Sequence, residues 1–175
     1  MRRFTPFAAK ARQGRRLEWC SRMVESVSDD SFVPASGYAK YEAGTPNVSG
    51  GIGLGAAVDY LENIGMDAVS ARERKLTDLL IDGLEKIEGV TVYACRDADA
   101  RVGAVSFSIE GIHPHEVSAW LDEEHGIAVR SGMHCAEPLM RRLGAENGTV
   151  RATVSFYNTE SEINTLVSVI RELLA

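Results

Sequence analysis

Val102-Gly103-Ala104-Val105-Ser106-Phe107-Ser108-Ile109 places Val105, Phe107 and Ile109 on one face and Ala104, Ser106 and Ser108 on the other. That period of two predicts a strand with one buried face. Working outward, Val90-Thr91-Val92-Tyr93 reads as a short β-branched strand before it. After it, Pro114 suits the first turn of a helix that Val117, Trp120 and Leu121 continue and His125-Gly126 closes. Ile127-Ala128-Val129 reads as a third strand and residues 150–156 as a fourth, with a short helical piece near residues 139–143 between them. Thr159 and Glu162 form a capping box ahead of a last helix striped by Ile163, Leu166, Val167, Ile170 and Leu173. Upstream, Ile52, Ala56, Ala57, Tyr60, Leu61 and Ile64 recur at helical spacing, with Gly65 as a C-cap. Asp67 then reads as the N-cap of a helix reaching Ile87, striped by Val69, Leu76, Leu79, Leu80, Leu84 and Ile87 and stopped by Gly89. The order helix, strand, strand, helix, strand, strand, helix predicts a small α/β sandwich, a sheet of about four strands covered by helices on one face.

The 175 residues, 45% apolar and 25% charged, suit a soluble globular chain with a sizeable core. No apolar run is long enough to predict a membrane helix. Three cysteines, Cys20, Cys95 and Cys135, make no disulfide framework and point to a reducing cytoplasm. Residues 1–22 carry a net charge of +6, which leaves -12 on residues 23–175. So acidic a body repels phosphate, and nucleic acid is an unsuitable partner. The basic head resembles an Arg-rich transit peptide in composition; a flexible or extraneous terminus is the plainer reading. Residues 23–49 are turn-rich, with Ser28-Asp29-Asp30-Ser31, Pro34, Ser36-Gly37 and Gly44-Thr45-Pro46-Asn47, and read as an irregular arm. Val24, Val27, Phe32 and Val33 suit short extended pieces within it.

Chemistry concentrates in Val129-Arg130-Ser131-Gly132-Met133-His134-Cys135-Ala136-Glu137-Pro138-Leu139-Met140. A nucleophilic cysteine needs thiolate character, which nearby cations favour, and Arg130, His134, Arg141 and Arg142 are near in sequence. An inert, packed Cys135 is the competing reading. Arg151 sits inside an apolar strand and needs an anion: a substrate carboxylate gripped by its two-pronged fork, or a structural acidic partner. The glycines of residues 50–55 lead into a helix and offer amides to a phosphate, yet Val58 breaks the dinucleotide pattern. His113-Pro114-His115 with His134-Cys135 invites a zinc reading. No second paired-ligand cluster accompanies it, so no metal site is predicted and the two histidines read as helix caps.

Taken in order, Tyr41-Glu42-Ala43-Gly44-Thr45-Pro46-Asn47, residues 51–65, Arg101-Val102-Gly103-Ala104-Val105-Ser106-Phe107, residues 130–140 and residues 150–159 resemble the C-terminal part of cysteine desulfurases of the SufS and selenocysteine-lyase type. Those are pyridoxal 5'-phosphate (PLP) enzymes of the class V aminotransferase group. The resemblance covers residues 23–175 and is most specific at Arg-x-Gly-x-His-Cys-Ala. It implies the small C-terminal domain of a fold-type I PLP enzyme over residues 67–175, a connecting helix over 50–66, an arm from the large domain over 23–49 and an unmatched head over 1–22. It further implies that Cys135 accepts sulfur as a persulfide, that Arg151 holds the substrate carboxylate with Arg130 beside it, and that His134 and Gly132 support the loop. Gly44 and Thr45 resemble the segment that reaches across a dimer to the cofactor phosphate. Met133 stands where the family commonly has a further histidine.

The family's PLP lysine follows a histidine in a Ser-x-His-Lys segment. The lysines here are Lys10, Lys40, Lys75 and Lys86, and none follows histidine. The resemblance therefore implies a desulfurase portion that is inactive and binds no PLP stably by itself, and that forms a homo-oligomer or pairs with a lysine-bearing N-terminal half that completes it. Its small-molecule partner is L-cysteine or L-selenocysteine, which need the same contacts; its macromolecular partner is a sulfur-acceptor protein. A non-catalytic dimerisation or acceptor-docking module is the alternative, and a folded relic is the third reading.

Overall fold

A computed structural model describes residues 23–42, 44–97 and 100–174. The basic head, Cys20 and Lys10 lie outside the described residues. The described residues fall into two units divided between Val58 and Asp59.

In the first unit, β1 (Val24–Val27) and β2 (Phe32–Pro34) form an antiparallel hairpin, with Val27 opposite Phe32. Ser28 N donates to Ser31 O at 2.8 Å and closes the turn expected from the Ser-Asp-Asp-Ser run. The arm is thus a hairpin followed by a single 3-10 turn at Ala39–Tyr41. Helix α1 (Val48–Ile64), within which the division between the two units falls, begins two residues earlier than its apolar periodicity suggests. The side-chain oxygen of Asn47 accepts from Gly50 N at 2.9 Å and caps it.

In the second unit, Gly65, with φ of 91°, ends α1 and serves directly as the N-cap of α2 (Met66–Leu84). Asp67, expected as that cap, lies instead in the first helical turn, where its carboxylate still favours the positive helix end. The helix stops at Leu84 rather than Ile87, and a turn carries the chain to Gly89. Next come β3 (Val90–Tyr93), β4 (Ala104–Ile109), α3 (Pro114–His125), β5 (Arg130–Gly132), α4 (Glu137–Arg142), β6 (Thr149–Thr153) and α5 (Glu160–Leu173). His113 caps α3, its ring accepting from His115 N at 3.2 Å. Both halves of the Thr159–Glu162 capping box are present on α5.

The four strands pair antiparallel in the order β3-β4-β6-β5. The period-two reading of β4 holds: Val105, Phe107 and Ile109 are buried and their alternates are half-buried. Leu76, Leu80 and Leu84 of α2, Val117 and Leu121 of α3, and Ile163, Leu166 and Ile170 of α5 join them in one core with Val150 and Ala152 of β6. These three helices, α2, α3 and α5, therefore cover one face of the sheet. Gly83 lets α2 and α5 meet closely, since a Cβ there would stand 2.6 Å from Cγ2 of Val167.

One strand differs from expectation. Ile127–Val129 is not paired in the sheet, and β5 begins only at Arg130. The left-handed Gly126 cap folds Ile127 back, so that its N–H donates to Leu121 O at 2.9 Å, and Ser118 Oγ donates to Val129 O at 3.3 Å. These residues are bound to α3 before the chain reaches β6. The fourth strand ends at Thr153 rather than 156. Beyond it, Asn158 Oδ1 accepts from Ser155 N at 2.8 Å and makes a local turn.

Candidate active site

β5 is an edge strand of three residues, so the sheet fixes only Arg130, Ser131 and Gly132 before the chain must turn. It turns at Met133, where Ala136 N donates to Met133 O at 2.8 Å. The two central residues, His134 and Cys135, have φ of 54° and 58°. Positive φ at both positions with that bond is the pattern of a type I′ turn, ordinarily built on glycine or asparagine. A non-glycine residue held there costs about 1–3 kcal/mol and persists only where its surroundings fix it. Cys135 is exposed at the tip as a free thiol, as is Cys95 elsewhere in this unit.

His134 supplies one fixing contact. Its Nε2 lies 3.0 Å from Thr149 O and 2.9 Å from Thr149 Oγ1. Thr149 is fully buried and its hydroxyl donates to Met140 Sδ at 3.9 Å, so it accepts from the ring, and Nε2 carries the proton. Nδ1 is buried without a partner. Burial holds the His134 imidazole below its ordinary value of 6.5; the Thr149 carbonyl acts in the opposite sense, and the Arg151 and Arg130 charges depress it further. Gly148 supplies a second contact. It passes so close to Gly132 that a Cβ on Gly148 would stand 2.4 Å from the Gly132 carbonyl carbon.

Arg151 lies between the core residues Val150 and Ala152 and so projects from the face of the sheet opposite α2, α3 and α5, the face it shares with Thr149. There it is directly opposite Arg130 on β5 and Ser106 on β4, and Ser106 is opposite Tyr93 on β3. Two guanidiniums in one cross-strand row repel each other. No carboxylate among the described residues pairs with either, and Arg151 Nε is buried without a partner. Arg130 Nη2 donates to Cys135 Sγ at 3.5 Å. The structure thus brings together an exposed thiol, a guanidinium touching it and a second guanidinium lacking an anion. The arrangement can grip a carboxylate in a fork and present sulfur beside it.

Of the residues singled out in the sequence, Cys135, Arg130, Arg151, His134 and Gly132 converge. Gly44, with φ of 80°, and the exposed Thr45 lie in the other unit. Among the described lysines, Lys75 is paired with Glu160 at 2.8 Å, Lys40 lies over the Tyr41 ring and Lys86 is exposed beyond α2. Within the unit that holds Cys135, neither Lys75 nor Lys86 is hydrogen-bonded to the thiol, whose partner is Arg130, so its described residues show no covalent PLP anchor there. Among the described residues no three His, Cys, Asp or Glu side chains are grouped to hold a metal. Thr149 and Gly148 were not foreseen. The Asn147-Gly148 pair is a turn signal that marks where β6 begins, but its closeness to Gly132 is a tertiary fact.

Comparison with known proteins bears on this arrangement. The model of the aminotransferase class-V family matches residues 9–166. A probable cysteine desulfurase of Pyrococcus abyssi is 47% identical over 77% of this chain, and one of Xylella fastidiosa is 43% identical over 87%. The chain spans about a third of the length of these relatives, 33% and 36% respectively. Among solved structures, the apo cysteine desulfurase of Thermococcus onnurineus superposes with a TM-score of 0.79 at 42% identity, covering 89% of this chain and 38% of that one. The cysteine desulfurase CsdA of Escherichia coli gives 0.78 at 37% identity, covering 90% and 38%.

Proposed function

Because this chain belongs to the aminotransferase class-V family, we propose that it carries the sulfur-accepting and carboxylate-gripping part of a PLP-dependent cysteine desulfurase. The observation that carries the reading is the unpaired Arg130–Arg151 row beside Cys135. Arg151 takes the carboxylate of L-cysteine, or of L-selenocysteine, and its fork fixes the orientation. Arg130 offsets charge on the Cys135 sulfur, the form that attacks. His134, neutral and bound to Thr149, holds the turn that presents the thiol. Cys135 sulfur then forms an S–S bond to the substrate sulfur as the C–S bond breaks. The carbon takes a proton, and L-cysteine plus thiol become L-alanine plus persulfide. In the family PLP supplies the electron sink for that cleavage. Its lysine is assigned to polypeptide beyond these 175 residues, and Gly44 and Thr45 to the cofactor phosphate of a partner copy. On the reading of SufS-type resemblance, this segment is the C-terminal side of such an enzyme, and a sulfur-acceptor protein consumes the persulfide.

Alanine release tests the proposal. The purified chain is incubated with PLP and L-cysteine, alone and with a lysine-bearing N-terminal half, beside Cys135→Ser. Release that needs both the second half and Cys135 is expected. Release by the pair that survives Cys135→Ser overturns the assignment. A second reading, a non-catalytic dimerisation or acceptor-docking module, draws on the exposed Ile52, Leu54, Val58 and Tyr60 of α1. It requires acceptor binding that Cys135→Ser leaves intact.

A further inference from the structure

The turn that presents Cys135 is anchored on one side by His134 and Gly148, but β5, which launches it, has a free edge. The first residue of α3 after its proline reaches β5 itself. His115 Nδ1 lies 2.8 Å from Ser131 Oγ, in the middle of β5. Its ring also covers the next residue, for a Cβ on Gly132 would stand 3.2 Å from His115 Cε1. The His113 ring is its neighbour: it accepts from the His115 backbone N–H, and the two imidazole centroids are 5.0 Å apart. Ser118, one turn along α3, ties Val129 O just ahead of β5. Ser131 lies between Arg130, whose guanidinium touches Cys135 Sγ, and Gly132, where the chain leaves the sheet.

We propose that His115 is a positioning residue for the Cys135 nucleophile, acting through Ser131 and Gly132 to hold the Arg130–Cys135 contact. The proposal rests on the reading of Cys135 as the sulfur acceptor, but it is testable without desulfurase activity. His115 is exposed and outside the core, so its replacement spares the packing that folds the unit. Without the ring, Ser131 loses its partner, Gly132 loses its cover and the strained turn can relax. Arg130 and the sulfur then separate.

The experiment follows iodoacetamide alkylation of the full chain, resolved by mass spectrometry at the Cys135 and Cys95 peptides, with Cys95 as the internal reference. His115→Ala is expected to slow Cys135 about fivefold, the worth of one lost hydrogen bond, and to leave Cys95 unchanged. His115→Asn puts an amide where Nδ1 stood and is expected to restore the rate; His115→Gln, whose amide falls at the Nε2 position, is not. Ser131→Ala should shrink the His115→Ala effect to the part carried by the Gly132 contact, since the hydrogen bond is already gone. A Cys135 rate within about twofold of wild type in His115→Ala overturns the proposal, as does equal rescue by Asn and Gln. If alkylation behaves as expected while alanine release by the completed enzyme fails, the positioning stands and the desulfurase reading falls.

Discussion

His134 and Cys135 hold left-handed backbone without being glycine, and what stabilises them is particular to each. For His134 it is the Nε2–H bond to Thr149 in a buried setting that disfavours the imidazolium. The folded ring therefore binds a proton less readily than the unfolded one. Its contribution to stability is fully present above the unfolded value of 6.5 and is lost as pH falls through that value toward the lower folded one. The urea midpoint is expected to drop between about pH 7 and about pH 5. His134→Gln keeps a donor at the Nε2 position and does not titrate, so its midpoint should drop less. An equal drop in both proteins would assign the pH dependence to other groups. For Arg151 the expected role is electrostatic. In the completed enzyme, Arg151→Ala should raise KM for L-cysteine by about tenfold or more, the worth of a charge-assisted fork, and Arg151→Lys should restore only part of it. Steady-state alanine release measures both.

At the scale of elements, two close approaches decide geometry. Where Gly148 crosses Gly132, a methyl group would strike backbone that cannot rotate away, and Gly148 has a φ of 82° besides. Gly148→Ala is expected to destabilise by about 2 kcal/mol or more, read from urea unfolding, and to alter Cys135 alkylation at the same time. Gly83→Ala poses a different balance. Alanine gains about 1 kcal/mol of helix propensity, but its methyl would meet the stiff, buried Val167 at 2.6 Å. The clash should outweigh the gain and lower the unfolding midpoint, whereas Gly83→Ala combined with Val167→Ala should recover part of the loss. The sequence pattern located these helices well, because a stripe such as Ile163, Leu166, Val167 and Ile170 sees only one neighbour, the core. It misplaced β5. Ile127–Val129 has the composition of a strand, yet the Gly126 cap and Ser118 bind it to α3, and the small residues Ser131 and Gly132 pair with β6 instead.

At the scale of the whole molecule, α1 presents Ile52, at 71% exposure, and Leu54, at 67%, among side chains of which none is buried. An apolar helix so exposed is a surface for association, and the isolated chain is expected to self-associate with rising concentration. Sedimentation showing one monomeric species at high concentration would count against it. The linear sequence by itself determined the period-two strands, the striped helices, the capping box, the resemblance at Arg-x-Gly-x-His-Cys-Ala and the want of a lysine after histidine. Those are local or spaced patterns, written by the geometry of a single element or by a contiguous motif. The tertiary structure alone decided that Arg130 and Arg151, 21 positions apart by their numbers, stand directly opposite one another. It also decided that Thr149 fixes the His134 proton, that Gly148 passes against Gly132 and that His115 reaches Ser131. Such contacts follow from strand order and register, which depend on how the two faces of the sheet are buried, and no residue spacing along the chain encodes them.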